Sequence, residues 1–176
     1  MQFRRASHGD LNMIRDIYMS AFPLEESSIV SKLAIELFEM QTTPPTFSLV
    51  AEHNGFLVGH VAFSPVSMEG MDSFQGYILA PLAVHPDHQK RGVGSNLVDQ
   101  GIQRLSSAGA DMLFVYGDPD FYGRFGFGAE IADRFEPPYP LKYAFGWLGM
   151  TMGQSDLPSS HFKITCVSAL CDPAIW

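Results

Sequence analysis

The chain has 176 residues, the size of one ordinary domain, and its 46% apolar and 17% charged residues are a globular composition that excludes a disordered polypeptide. A formal charge of −8 at pH 7 argues against nucleic acid as a partner, because attachment to phosphate backbones needs a clustered basic face; a cationic small molecule or peptide suits the field better. The two cysteines, Cys166 and Cys171, have no second pair to complete a structural zinc site, and no apolar run approaches the length that spans a bilayer, so reduced thiols, no membrane partner and a cytoplasmic location are expected.

Residues 2–6 alternate polar and apolar side chains as a short strand does. Ser7 and Asp10 then offer capping oxygens for a helix over about 10–21, with Leu11, Ile14, Ile17 and Tyr18 on one face and Pro23 beyond its end. Ser27 and Ser28 read as the cap of a second helix whose apolar face is Val30, Leu33, Ala34, Leu37 and Phe38, which places Glu25 and Glu26 in the preceding loop. From Phe47 the pattern changes to two strands, 47–52 and 56–65, joined as a hairpin by His53, Asn54 and Gly55. A loop over about 68–75 leads to a nearly continuous apolar strand over 77–84. Pro81 within it cannot donate to a ladder, which implies a bulge or a break in pairing.

A helix over 93–107, stopped by Gly109, and a buried strand over 112–116 complete a βαβ unit with parallel strands. Asp118 and Pro119 start a short helix through Phe125, closed by Gly126. After Ala129 the pattern gives a proline-rich connector, a strand around 144–152, a polar loop, and a last strand around 162–167.

The segment carrying most chemistry is Leu82, Ala83, Val84, His85, Pro86, Asp87, His88, Gln89, Lys90, Arg91, Gly92, Val93, Gly94, Ser95. Two glycines stand where a loop becomes a helix. Backbone N–H groups there lack intrahelical partners and lie at the positive end of the helix dipole, so with Lys90 and Arg91 they form an anion cradle. A nucleotide P-loop is excluded because Lys90 precedes both glycines, and a dinucleotide fingerprint fits poorly because Leu97 stands where a third glycine belongs. A glycine-stabilised turn before a surface helix is the plain alternative.

Gln89, Lys90, Arg91, Gly92, Val93 and Gly94 resemble the Gln/Arg-x-x-Gly-x-Gly/Ala signature of GNAT N-acetyltransferases, and Phe121, Tyr122, Gly123, Arg124, Phe125, Gly126 and Phe127 resemble their Tyr-x-x-x-Gly-Phe segment. With the linking Gly117, Asp118 and Pro119, the chain is similar to the bacterial branch called YhbS-like. The likeness is sharpest over 77–128 and weak over the last forty or so residues. The resemblance implies a single N-acetyltransferase domain over 1–176 of mixed α/β (α+β) class. Its twisted sheet is mostly antiparallel, with a central parallel strand pair splayed at the acetyl-CoA site and helices on both faces.

The resemblance further implies acetyl-CoA as cosubstrate, held by the backbone of Leu82, Ala83 and Val84 along the pantetheine arm and by Gln89, Lys90, Arg91, Gly92, Val93, Gly94 and Ser95 around the phosphates. A backbone N–H near Val84 would polarise the thioester, and Tyr122 would be the acid that protonates the leaving thiolate. The acceptor is an amine that the sequence leaves unnamed. His85, Glu25, Glu26 and water stay open as the base, and monomer and homodimer stay open as assemblies. Many family members carry an Asn before the tyrosine where this chain has Gly117, Asp118 and Pro119, so Asp118 does not inherit that role. Tyr122 as an aromatic filler, His85 and His88 as loop residues without a metal, Glu25 and Glu26 as helix-start residues, and an acyl-CoA sensor without catalysis are the alternatives.

Overall fold

A computed structural model describes residues 1–153 and 160–176. Part of the expected polar loop, 154–159, lies outside the described residues. The chain forms two compact units, Met1–Phe63 with Ala80–Gly101, and Ser64–Leu79 with Ile102–Trp176. The strands make an eight-stranded sheet of order β1-β2-β3-β4-β5-β7, with β8 beside the end of β3 and β6 beside β8. They are β1 (Gln2–Arg5), β2 (Phe47–His53), β3 (Phe56–Met68), β4 (Gly76–Val84), β5 (Met112–Tyr116), β6 (Phe135–Glu136), β7 (Trp147–Thr151) and β8 (Phe162–Cys166).

In the first unit, β1 pairs antiparallel with β2, and β2 with β3, through the expected hairpin. Asn54 and Gly55 both have positive φ, 52° and 81°, the backbone that a two-residue turn matched to strand twist requires. Helix α1 (Leu11–Ala21) lays Ile14, Ile17 and Tyr18 on a core shared with Val50, Leu57 and Ala83 and with Ala34 of α2 (Leu24–Glu39). Ahead of α1 the Asp10 carboxylate accepts from the Ser7 N–H and hydroxyl and takes a two-pronged bond from Arg4 at 2.7 and 2.9 Å. Helix α3 (Val93–Ser107) buries Val93, Leu97 and Val98. It can approach β3 because residue 59 is glycine: a Cβ there would stand 2.9 Å from Val93 and 3.0 Å from Leu97. Gly59 meets α3 while its neighbour His60 meets Tyr18 of α1, so the helices cover both faces of β3.

One helix start differs from the sequence reading. Helix α2 begins at Leu24, so Ser27 is not its cap: it is fully buried in the first turns, its hydroxyl donating to the Leu24 carbonyl. Glu25 and Glu26 therefore stand in the first turn of α2 and not in a loop, where their carboxylates complement the positive end of the helix.

In the second unit, Gly76, Tyr77 and Ile78 of β4 pair parallel with Met112, Leu113 and Phe114 of β5, as the βαβ reading required. Antiparallel to β5 runs β7, which starts at Trp147 and not near Ala144. Residues Ala144–Gly146 form a tight turn that lays Gly146 against Gly117, whose N–H donates to the Gly146 carbonyl at 2.9 Å. The end of β3 pairs with β8. Helix α4 (Pro119–Tyr122), helix α5 (Ala129–Ala132) and β6 line the way to β7; the last two were not expected from the sequence. Phe114, Phe135 and Trp147 form the centre of this unit, the Phe114 and Trp147 rings stacking at 5.4 Å and the Trp147 indole donating to the Phe135 carbonyl at 2.7 Å.

Candidate active site

The cradle is built from the end of β4 outward. His85 N–H donates to the Val58 carbonyl at 2.9 Å, which fixes the end of β4 to β3. The chain then turns through Pro86–His88, with the His88 N–H on the His85 carbonyl and the Asp87 N–H on His85 Nδ1. Lys90 and Gly92 both take the left-handed backbone, with φ of 58° and 78°, and so wind the loop tightly before α3 begins. The Asn96 N–H makes the first α-type bond, to the Gly92 carbonyl, leaving the amides of Val93, Gly94 and Ser95 at the helix start. Lys90, Arg91 and Gly92 are exposed around these amides, whereas the Val93 side chain is buried and anchors the turn.

Leu82 and Val84 are half-buried and Ala83 between them is buried. Because His85 faces β3, the two-residue alternation of a strand turns the N–H and C=O of Val84 and Leu82 to the other edge of β4. The Val84 carbonyl is occupied there by the Gln89 side-chain amide at 3.1 Å. Gln89 thereby ties the start of the cradle loop to the strand end.

Tyr122 lies in the second unit. The Asp118 side chain caps α4 through the Asp120 N–H, and the Tyr122 N–H bonds the Asp118 carbonyl at 2.9 Å. The ring is buried, edge-on to Phe121 at 4.8 Å and to Phe127 at 5.7 Å. Gly126, with φ of 98°, closes the turn that brings Phe127 back onto it. Burial, reinforced by the Asp118 carboxylate, raises the Tyr122 pKa well above the ordinary phenol value. The phenol therefore keeps its proton at neutral pH, the state that a general acid must occupy.

A cleft of about 300 Å³ in the first unit is lined by residues that include Asp16, Ser20, Phe56, His85, Asp87 and His88. His85 and His88 sit 6.3 Å apart between ring centroids, and no group of three potential metal ligands gathers among the described residues. Cys166 is buried, its thiol pushed up to about 12 by burial and by Cys171. Both thiols are free, Cys166 as the last residue of β8 and Cys171 beyond the turn that follows it, in a part of the chain that carries neither motif.

The sequence reading missed a buried trio, Tyr18, His60 and the Pro81 carbonyl. The Tyr18 hydroxyl is 2.8 Å from His60 Nδ1 and donates to the Pro81 carbonyl at 3.0 Å. A histidine in an otherwise apolar strand was the only signal for it.

A family model described as an acetyltransferase (GNAT) domain matches residues 2–129, which takes in both motif segments. The chain belongs to the GNAT acetyltransferase family. It is 36% identical over 141 residues to the uncharacterized N-acetyltransferase YjhQ of Escherichia coli K12, covering 79% of this chain and 76% of that one. The structure of the GNAT N-acetyltransferase YhbS from Escherichia coli in complex with CoA superimposes with a TM-score of 0.83 at 27% identity, covering 96% of this chain and 90% of that one. A GNAT acetyltransferase from Brucella melitensis in complex with acetyl-CoA gives 0.70 at 29% identity, covering 96% of each chain. In this GNAT chain no described helix is long and apolar enough to cross a membrane.

Proposed function

We propose that this GNAT protein, acting as a single N-acetyltransferase domain, transfers the acetyl group of acetyl-CoA directly to a primary amine of a small molecule or peptide. The observation that carries the reading is the left-handed turn at Lys90 and Gly92, which presents the amides of Val93, Gly94 and Ser95 beside two exposed cations. Those groups suit the diphosphate of acetyl-CoA. The outward backbone of Leu82 and Val84 suits the amides of its pantetheine arm, as a peptide pairs with a sheet edge.

In this mechanism the neutral amine attacks the thioester carbon, forming the C–N bond as the C–S bond breaks. A backbone N–H near Val84 faces the developing oxyanion, and Tyr122 gives its proton to the departing thiolate. His85, whose Nδ1 accepts from the Asp87 N–H, lines the cleft and is a candidate to take the proton lost by the amine. The buried, protonated Cys166 supports direct transfer over a cysteine-bound acyl group.

Calorimetric titration tests the reading: acetyl-CoA binds the wild-type protein, NADH does not, and free CoA thiol is released when a pool of amines is added. Binding of NADH with none of acetyl-CoA would transfer the cradle to a dinucleotide. Acetyl-CoA binding without thiol release across polyamines, amino acids, aminoglycosides and peptide N-termini would leave an acyl-CoA sensor.

A further inference from the structure

We propose that Tyr18 is a positioning residue for acyl transfer: its hydroxyl, oriented by His60, fixes and polarises the peptide group joining Pro81 to Leu82, and so aims the Leu82 N–H at the pantetheine arm. The inference rests on the reading that the backbone of Leu82 and Val84 receives that arm.

The proton count sets the direction of each bond. Tyr18 has one hydroxyl hydrogen, and the Pro81 carbonyl, 3.0 Å away, can only accept it. The bond of 2.8 Å to His60 must then run from Nδ1–H to the phenol oxygen. His60 is therefore the Nδ1–H tautomer, with its lone pair on Nε2, a buried atom with no partner among the described residues. Both side chains are fully buried. Burial holds His60 neutral, its pKa pushed down to about 3, so the Nδ1 donor does not change character across the neutral range.

What this chain does to β4 follows from peptide geometry. The Pro81 carbonyl and the Leu82 N–H belong to one planar unit and point in opposite directions. A hydrogen bond accepted at the carbonyl fixes the rotation of that plane and strengthens the N–H as a donor, because successive hydrogen bonds polarise one another. Leu82 is on the edge of β4 turned away from β3, as the bond from His85 to Val58 requires. The parallel pairing of β4 with β5 involves Gly76, Tyr77 and Ile78, four or more residues earlier. The sequence His60 to Tyr18 to Pro81 to Leu82 thus ends on the donor that the cosubstrate arm is read to use. A phenylalanine at 18 and a leucine at 60 would fill the same space without any of it.

The test compares two ligands that share the phosphates and differ in the arm. Tyr18→Phe should raise the dissociation constant of acetyl-CoA about 4- to 13-fold, the upper part of the range of one net hydrogen bond, while 3′-phosphoadenosine 5′-diphosphate, which keeps the phosphates and lacks the arm, binds as to wild type. His60→Leu should behave like Tyr18→Phe. His60→Asn, whose amide can stand where Nδ1 does, should restore acetyl-CoA affinity to within about threefold of wild type. The two histidine variants carry the same comparison if Tyr18→Phe does not fold. Unchanged acetyl-CoA affinity in Tyr18→Phe and His60→Leu, or equal weakening of both ligands, would overturn the positioning role. Wild-type protein that binds acetyl-CoA no more tightly than 3′-phosphoadenosine 5′-diphosphate would instead remove the arm site itself, and the inference with it.

Discussion

Gly117 lies against the ring of Tyr122 so closely that a Cβ on residue 117 would run into the ring edge, Cε2 and Cδ2 first. The same glycine donates its N–H to Gly146, so the backbone cannot retreat without breaking a bond in the turn before β7. Gly117→Ala should therefore displace the Tyr122 ring and lower kcat about 10- to 100-fold, the size of a modest misplacement of a catalytic group. Steady-state kinetics with a Tyr122→Phe background check it: once the hydroxyl is gone, adding Gly117→Ala should cost no further turnover.

Tyr122→Phe alone should lower kcat about 10- to 1000-fold, the span of a general-acid contribution. Acetyl-CoA affinity should hold, because the ring packing on Phe121 and Phe127 is retained. Wild-type turnover, with chemistry shown to limit the rate, would make Tyr122 a filler.

Gly94→Glu places bulk and negative charge among the amides at the start of α3, and acetyl-CoA binding should be lost while the circular dichroism spectrum is kept. A folded variant with the wild-type dissociation constant would place the phosphates elsewhere.

Burial of His60 has a signature in pH. Unfolded, its imidazole takes a proton near pH 6.5; folded, it resists until about 3. Between those values the unfolded state binds the extra proton, so stability falls as pH falls from 6.5, by at most about 1.4 kcal/mol per pH unit from this group, and gains nothing from it above 6.5. Asp10, lowered to about 2 chiefly by its hydrogen bond from Arg4, adds a second loss only as pH falls below 3.8. Urea denaturation of wild type and His60→Asn between pH 4 and 7 should show a steeper acid loss in wild type.

Gly101 of α3 meets the Phe63 ring with no room for a methyl group. Gly101→Ala gains helix propensity but overpacks that contact, and a net loss of about 1–3 kcal/mol is expected by urea denaturation.

Helix α3 and the strands around it were legible because local signals agreed. Gly92 and Gly94 marked the passage from loop to helix, Gly109 ended it, and apolar runs flanked it. The start of α2 was misread because Ser27 and Ser28 look like caps, whereas Pro23 with Glu25 and Glu26 set the actual start. The C-terminal third was harder for a different reason. A two-residue strand such as β6 exists only because β8 pairs with it, and nothing in Phe135 and Glu136 themselves encodes that partner. Tyr18 and His60 stand 42 residues apart, one on a helical stripe and one in a strand, so no periodicity joins them. The proposed cradle and Tyr122 were picked out by motif spacing, which carries no account of what holds a peptide plane.

The interleaving of the two units bears on how the protein tolerates being cut. The chain passes from one unit to the other after Phe63, after Leu79 and after Gly101, and β3, β4 and α3 each run through one of these crossings. No single break yields either unit as one continuous piece. Removing residues from either terminus takes material from one unit but leaves its other segment stranded within the remaining polypeptide. Split-protein reporters or terminal truncations of this scaffold should accordingly lose structure throughout the retained fragment, where a protein made of two successive segments would leave one half intact.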